Sequence, residues 1–224
     1  MIISGIIFDI DGTLARTNKL IFETFRFIAE KYLHKHYTDE EIIALFGPTE
    51  EDLLREMLPP NEYEKAMQEF YAFYDYNHDK MASGFAGIAE LLEFISQYKI
   101  PLAVYTGKGK VTAEITLRKE NLFNYFDLII SGSEVPEPKP SQLAVDMFIE
   151  KFKLKRKEVV IIGDAIADIK TAEMSGITCL SAIWDSYAKA DVKRLNPDFL
   201  FETVAELKRF LEKHLQPQPN QLNS

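Results

Sequence analysis

The sequence predicts an α/β fold, a parallel sheet with helices on both faces, interrupted after its first strand by a purely helical block. Three observations carry this. Short continuous apolar runs at 2–8, 101–105, 128–130, 159–162 and 178–183 are each followed by a loop and a helical stretch. Runs of that length suit strands buried on both faces. Between them apolar residues recur at helical spacing, as at Ile88, Leu91, Leu92 and Ile95, the stripe by which a helix packs on a sheet. Residues 15–85 show no strand pattern at all. Alternating strands and helices imply right-handed crossovers in one sheet.

Taken in order, the first strand runs straight into FDIDGT, and the helical block follows. In that block Ile21, Phe25, Ile28 and Tyr32 mark one helix, and Tyr63, Met67, Phe70 and Tyr74 mark another. Shorter helices are predicted at 39–46 and 50–58, with Gly47-Pro48 between them and Pro59-Pro60 after. The aromatic stripe Phe70, Tyr71, Phe73, Tyr74, Tyr76 reads as bundle core. The chain returns to the sheet near Ser83 and Gly84, so residues 1–14 and 85–215 are expected to form the sheet domain and 15–84 the helical one. The end, QPQPNQLNS at 216–224, is expected to be disordered.

Composition narrows the function classes. The 224 residues carry 26 Lys+Arg against 35 Asp+Glu, a net charge of −9, which argues against general binding of nucleic acid or anionic membranes. The longest uncharged run inside the folded region, 174–184, is far short of the roughly 20 apolar residues of a membrane helix. The opening MIISGIIFDIDG has no basic region before its apolar stretch, and the single Cys179 excludes an internal disulfide framework and a cysteine zinc site. The cytoplasm is the expected location.

Chemistry should gather where the strands end, because ligands of open parallel sheets bind beyond the carboxyl ends. Those ends carry Asp9 and Asp11, then Thr106, then Lys139 in the following loop, then Asp164 with Asp168. Each has an ordinary structural alternative. Asp before Gly is common turn chemistry, Thr106 can cap a helix beginning near Lys108, a loop lysine is usually solvated, and Asp164 and Asp168 can serve as an N-cap and an acidic first turn. Against these, Asp9 and Asp11 at i and i+2 share a side of an extended segment. Asp164 and Asp168 at i and i+4 share a helix face. Carboxylates crowded in this way call for a cation or a shared proton. Lys139 lies between two prolines that stiffen its backbone.

DIDGT, the Thr of VYTG, the Lys of EPKP and GDAIAD resemble, in order, the four motifs of the haloacid dehalogenase-like (HAD) hydrolases. The resemblance covers nearly the whole chain and implies a Rossmann-like catalytic core with a helical cap of the superfamily's first type. It implies Asp9 as the nucleophile taking a phosphoryl group, Asp11 as general acid and base, and Thr106 and Lys139 as holders of the phosphoryl oxygens. It implies Mg²⁺ on Asp9, Asp164 and the Asp11 carbonyl, with Asp168 supporting the metal through water. The nearest branch resembles phosphoglycolate phosphatases and pyrophosphatases, and Thr17-Asn18, Gly47-Pro48 and Asn77-His78-Asp79 are similar to the latter. A phosphatase of a small phosphorylated metabolite is therefore expected, with no nucleic acid or membrane partner, as a monomer or homodimer.

Two other readings stand beside it. A sugar phosphomutase would use the same aspartyl phosphate but needs a cap that retains a bisphosphorylated intermediate. A phospho-receiver signalling domain also combines carboxylates, Thr and Lys on a parallel sheet, yet lacks the helical insert. The chain departs from the family at Arg16, where an acidic residue is common, and at Ser141 after Pro140, where Asp or His is common. Arg16, Gly107 and Lys108 are the candidate substrate-binding residues, and the two cations among them predict a compact, doubly anionic substrate. His34 and His36 fall on opposite sides of a helix and make no metal pair. The basic run 151–157, KFKLKRK, reads as a solvated connection on the opposite rim.

Overall fold

The computed structural model describes residues 1–216; apart from Gln216, the tail expected to be disordered lies outside the described residues. The described residues form eight strands: β1 (Gly5–Phe8), β2 (Ala15–Arg16), β3 (Ser83–Gly84), β4 (Leu102–Tyr105), β5 (Leu128–Ile130), β6 (Val159–Gly163), β7 (Thr178–Ala182) and β8 (Leu200–Phe201). Six of them form one sheet in the order β5-β4-β1-β6-β7-β8, every pair parallel. Strand alternation divides its two faces. Ile6 and Phe8 join one buried cluster with Val104, Ile162 and Leu180, while Ile7 joins the other with Ala103, Tyr105 and Ile161.

Helices cover both faces. On the first lie α5 (Ile88–Ser96), α6 (Lys110–Lys119) and α10 (Val204–His214), contributing Leu91, Leu117 and Leu207. On the second lie α7 (Leu143–Phe152) and α8 (Ile166–Ser175), contributing Phe148 and Ala172. The short α9 (Lys189–Arg194) packs Val192 against Ile183 near the β8 edge.

The first apolar run begins pairing later than expected. Ile3 bridges to Leu215, and the Ser4 N–H donates to the Glu158 carbonyl at 2.8 Å, so the leading residues are held outside the regular sheet. β8 was not expected; its two residues are too few to leave a periodic signal. The helix after Thr106 starts at Lys110, because Gly109 is extended. Thr106 is therefore not its cap.

The block after β2 holds α1 (Asn18–Ile28), α2 (Asp39–Ile43), α3 (Glu50–Met57) and α4 (Pro60–Met81). Thr38 and Thr49 cap α2 and α3, and Pro60 opens α4, where its missing N–H costs nothing. Ile28, Leu54, Met67 and Phe70 bury one another, as do Leu20, Ile42 and Tyr74. Of the aromatic stripe, Phe70 and Tyr74 are buried, but Tyr76 is exposed beneath Lys80. His34 ends the first helical run in a left-handed conformation, and His36 lies beyond it. The two are thus not on one helix. In the basic run, Arg156 is tied to Asp146 at 2.6 Å and to the Ser175 carbonyl at 2.8 Å. The block connects to the sheet through β2 and β3, which pair antiparallel, Ala15 with Gly84 and Arg16 with Ser83.

Candidate active site

The site begins where β1 stops. The Asp9 N–H still donates to the Ile162 carbonyl at 2.8 Å, which fixes Asp9 in line with the sheet. The chain then turns on itself, with the N–H groups of Leu14 and Ala15 both reaching the Ile10 carbonyl, at 2.8 and 3.0 Å. Gly12 lies within this turn at φ +72°, and a Cβ there would fall 2.4 Å from Oδ2 of Asp164. A glycine is required at this point both by the backbone and by the carboxylate beside it.

β4 delivers Thr106, buried, its N–H on the Ile130 carbonyl at 3.1 Å and its hydroxyl accepting the Lys108 N–H at 3.3 Å. The loop after β5 brings in Lys139, whose Nζ donates to Oδ1 of Asp9 at 2.8 Å and Oδ1 of Asp168 at 2.6 Å. It lies 5.1 Å from the centre of the Tyr105 ring. β6 delivers Asp164, and Asp168 stands in the first turn of α8, where its second oxygen accepts the Ala165 N–H at 3.1 Å. Both Asp168 oxygens are therefore engaged. The Asp164 carbonyl accepts from the Ser186 hydroxyl at 2.7 Å, but its buried Oδ2 has no hydrogen-bond partner among the described residues.

Asp11 has a different setting. The Thr17 hydroxyl donates to it, and Nζ of Lys108 lies 3.3 Å from the same oxygen. Lys108 in turn sits 4.8 Å from the Tyr74 ring centre, and the Tyr74 hydroxyl pairs with Thr116 at 2.8 Å. Lys108 is thus buried between the sheet and the helical block. The helix that the sequence began near Lys108 starts two residues beyond it, at Lys110.

Negative charge dominates the cluster. Asp9, Asp11, Asp164 and Asp168 face Lys139 and Lys108, and one oxygen each from Asp9, Asp164 and Asp168 falls within 4.8 Å of the others. Burial pushes Asp9 up to about 7; Lys139 opposes that rise, while Asp168 and Asp11 add to it. Burial and the neighbouring Asp9 and Asp168 hold Asp164 well above the usual carboxylate range. Burial pulls Lys139 down, but Asp168 and Asp9 outweigh it and keep the amine charged. A hard cation with oxygen ligands fits this excess, and the unpartnered Asp164 oxygen is positioned to take one.

Every expected site residue except Arg16 lines one cavity of about 230 Å³ between the sheet rim and the helical block. Arg16 is a correction. Its guanidinium bonds Asp185 at 3.3 Å, stacks 5.2 Å over the Phe85 ring and is 59% exposed, because β2 turns it away from the rim. Gly107 lies on the wall with nothing within 4 Å of a built Cβ, so crowding does not dictate a glycine there. Sequence reasoning missed Glu50, Thr112 and Tyr187, which also line the cavity, and treated Tyr74 only as core. Thr49 before an acidic turn signals the α3 start, but nothing local says that Glu50 turns to the sheet. There it accepts the Gly109 N–H at 2.8 Å and the Thr112 hydroxyl.

The profile of the haloacid dehalogenase-like hydrolases matches residues 6–182. Pyrophosphatase PpaX of Anoxybacillus flavithermus is 26% identical over 207 residues, spanning 92% of this chain and 96% of that protein. A haloacid dehalogenase-like family hydrolase of Streptococcus pneumoniae superposes with a TM-score of 0.75 at 25% identity, covering 93% of this chain and 98% of that one. A Haemophilus somnus protein, there predicted to be a phosphoglycolate phosphatase, is similar in fold with a TM-score of 0.80 at 20% identity, over 93% of this chain and 97% of the other.

Proposed function

Because the chain belongs to the haloacid dehalogenase-like hydrolases, we propose that it is a magnesium-dependent phosphatase of a small phosphorylated metabolite, working through a phosphoryl group carried on Asp9. The observation that supports this best is the convergence of Asp9, Thr106, Lys139 and Asp164 at the ends of neighbouring strands around one cavity. Asp9 attacks phosphorus as the bond to the leaving oxygen breaks, dividing one hard hydrolysis into two easier steps. Asp11 gives its proton to the leaving oxygen and then takes one from the water that attacks the phosphoryl group, a role typically worth ~10²–10⁴-fold. Lys108, 3.3 Å away, and the Thr17 hydroxyl hold the Asp11 side chain in place for both steps. Lys139 and Thr106 hold the phosphoryl oxygens, where transferring charge is spread.

Asp9, Asp164 and the Asp11 carbonyl would hold magnesium, and the unpartnered buried oxygen of Asp164 fits that role. When bound, the ion neutralises these carboxylates and lets an anionic substrate approach. Asp168, with both oxygens engaged, aims Lys139 and would support a bound metal through water rather than directly. Residues 15–84 act as a cap moving on the β2–β3 pair, and closure excludes water from the phosphoryl group. No described helix is long and apolar enough to cross a membrane, and with the lone Cys179 this supports a cytoplasmic setting.

A phosphate-release screen over phosphorylated metabolites, with and without magnesium, tests the reading. EDTA is expected to abolish release, magnesium to restore it, and calcium, with its longer bonds and more ligands, to inhibit. Because burial raises both Asp9 and Asp164, and metal must displace the protons they then hold, the half-saturating magnesium concentration should rise as the pH falls below about 7. Full activity in EDTA, or a magnesium requirement independent of pH, would contradict the account.

A further inference from the structure

The cavity that contains Asp9 and Asp11 continues into the helical block, and its far wall is apolar: Phe25, Leu45, Phe46, Leu53 and Phe70. Its only lining cations among the described residues are Lys108 and Lys139, and both are committed. Lys139 bridges Asp9 and Asp168, and Lys108 faces Asp11 beneath the Tyr74 ring. The charged group that the helical block does present to the cavity is an acid. Glu50 is buried there, with its carboxylate on the Gly109 N–H and the Thr112 hydroxyl. Arg16, the cation that the sequence offered for a second anion, is paired with Asp185 outside the cavity. Lys110 is likewise turned away, onto Glu134 at 2.7 Å.

Resting on the phosphatase reading, we infer that the preferred substrates are phosphate monoesters whose leaving group is uncharged and largely apolar, not a second anion as in pyrophosphate or phosphoglycolate. A carboxylate or second phosphate placed against the far wall would lose its hydration and meet no unpaired cation. That is a cost only partner charges could offset. An alkyl or aryl group there would instead transfer from water to apolar surface, a gain of roughly fourfold in binding per methylene. The phosphoryl end is unaffected, because Lys139, Thr106 and the metal site serve any monoester alike. The sequence expectation of a doubly anionic substrate rested on Arg16 and Lys108 lying near the site; Arg16 pairs with Asp185 outside the cavity, and Lys108 is held by Asp11.

The test compares kcat/KM of the full-length, magnesium-loaded enzyme for propyl, butyl, pentyl, hexyl and phenyl phosphate with that for pyrophosphate and phosphoglycolate. Efficiency should rise roughly fourfold per methylene over the first additions, and the two compounds with a second anionic group should fall at least about tenfold below hexyl phosphate, the factor that an unfavourable ~1.4 kcal/mol produces. Leu45→Lys, at a half-buried wall position, should narrow that gap by raising efficiency toward phosphoglycolate and lowering it toward hexyl phosphate. Pyrophosphate or phosphoglycolate matching the alkyl series, or no dependence on chain length, would overturn this inference and leave the phosphatase reading intact. Release from none of the compounds would overturn both.

Discussion

Asp9→Asn is expected to fold as the parent does and to lose phosphate release by on the order of 10⁴-fold or more, the scale seen when a nucleophile is removed from a preorganised site. The amide is not a nucleophile, and it is a poorer ligand for a hard cation. Folding should not suffer, and the reason lies in the site's own charge. Burial lifts Asp9 to about 7 in the native state, far above its ordinary value of 3.8. A carboxyl raised in this way costs stability once the pH exceeds the unfolded value, and the cost is complete above the folded one. Replacing it with a neutral amide removes that cost, while Asp168 at 2.6 Å keeps Lys139 paired. At pH 8 without metal, the variant should unfold at the same temperature as the parent or higher. A melting temperature clearly below the parent's would show that Asp9 contributes to stability, not only to chemistry.

Lys139→Met should do damage on both counts. It removes the amine that the transferring phosphoryl group needs, with an expected loss of roughly 10²–10³-fold in kcat. It also leaves Asp9 and Asp168, both buried, facing each other without their shared cation. Breaking a buried pair on one side typically costs about 3–5 kcal/mol. The sign with pH is fixed. Without Lys139, Asp9 rises further, so the penalty is full at high pH and shrinks as Asp9 protonates on acidification. Urea unfolding at pH 8 and pH 6 reads this directly, and the gap between variant and parent should narrow at the lower pH. Equal gaps would mean that the lysine is held for packing alone.

These two residues also show how much of the site was legible in the sequence. That Asp9, Asp11, Thr106, Lys139, Asp164 and Asp168 share one cavity was legible because strands ending in a parallel sheet bring their following residues to one rim, whatever the packing elsewhere. The main strands were legible for the same reason: each is an unbroken apolar run that only a doubly covered sheet can bury. Arg16 went wrong because β2 has only two residues, and a side chain there points by the pairing of β2 with β3, which proximity along the chain does not reveal. Lys108 lines the cavity, but its burial against Asp11 and Tyr74 was not legible, because α6 begins two residues later than expected. Glu50 and Thr112 were invisible for a further reason: their contact joins residues 62 apart, across the boundary between helical block and sheet. The character of the cavity's far wall follows from such contacts, so substrate preference had to come from the fold.

Phosphoryl transfer to Asp9 is read from the mass of the peptide containing it after the Asp11→Asn variant is incubated with magnesium and acetyl phosphate and quenched in acid. Without Asp11 the phosphoryl group can still pass to Asp9 from so activated a donor, but the water that should remove it is no longer deprotonated. The account predicts a phosphoryl increment on that peptide, absent when Asp9→Asn is added. Phosphate release by the variant with the Asp9 peptide unmodified, or the increment on another residue, would contradict it.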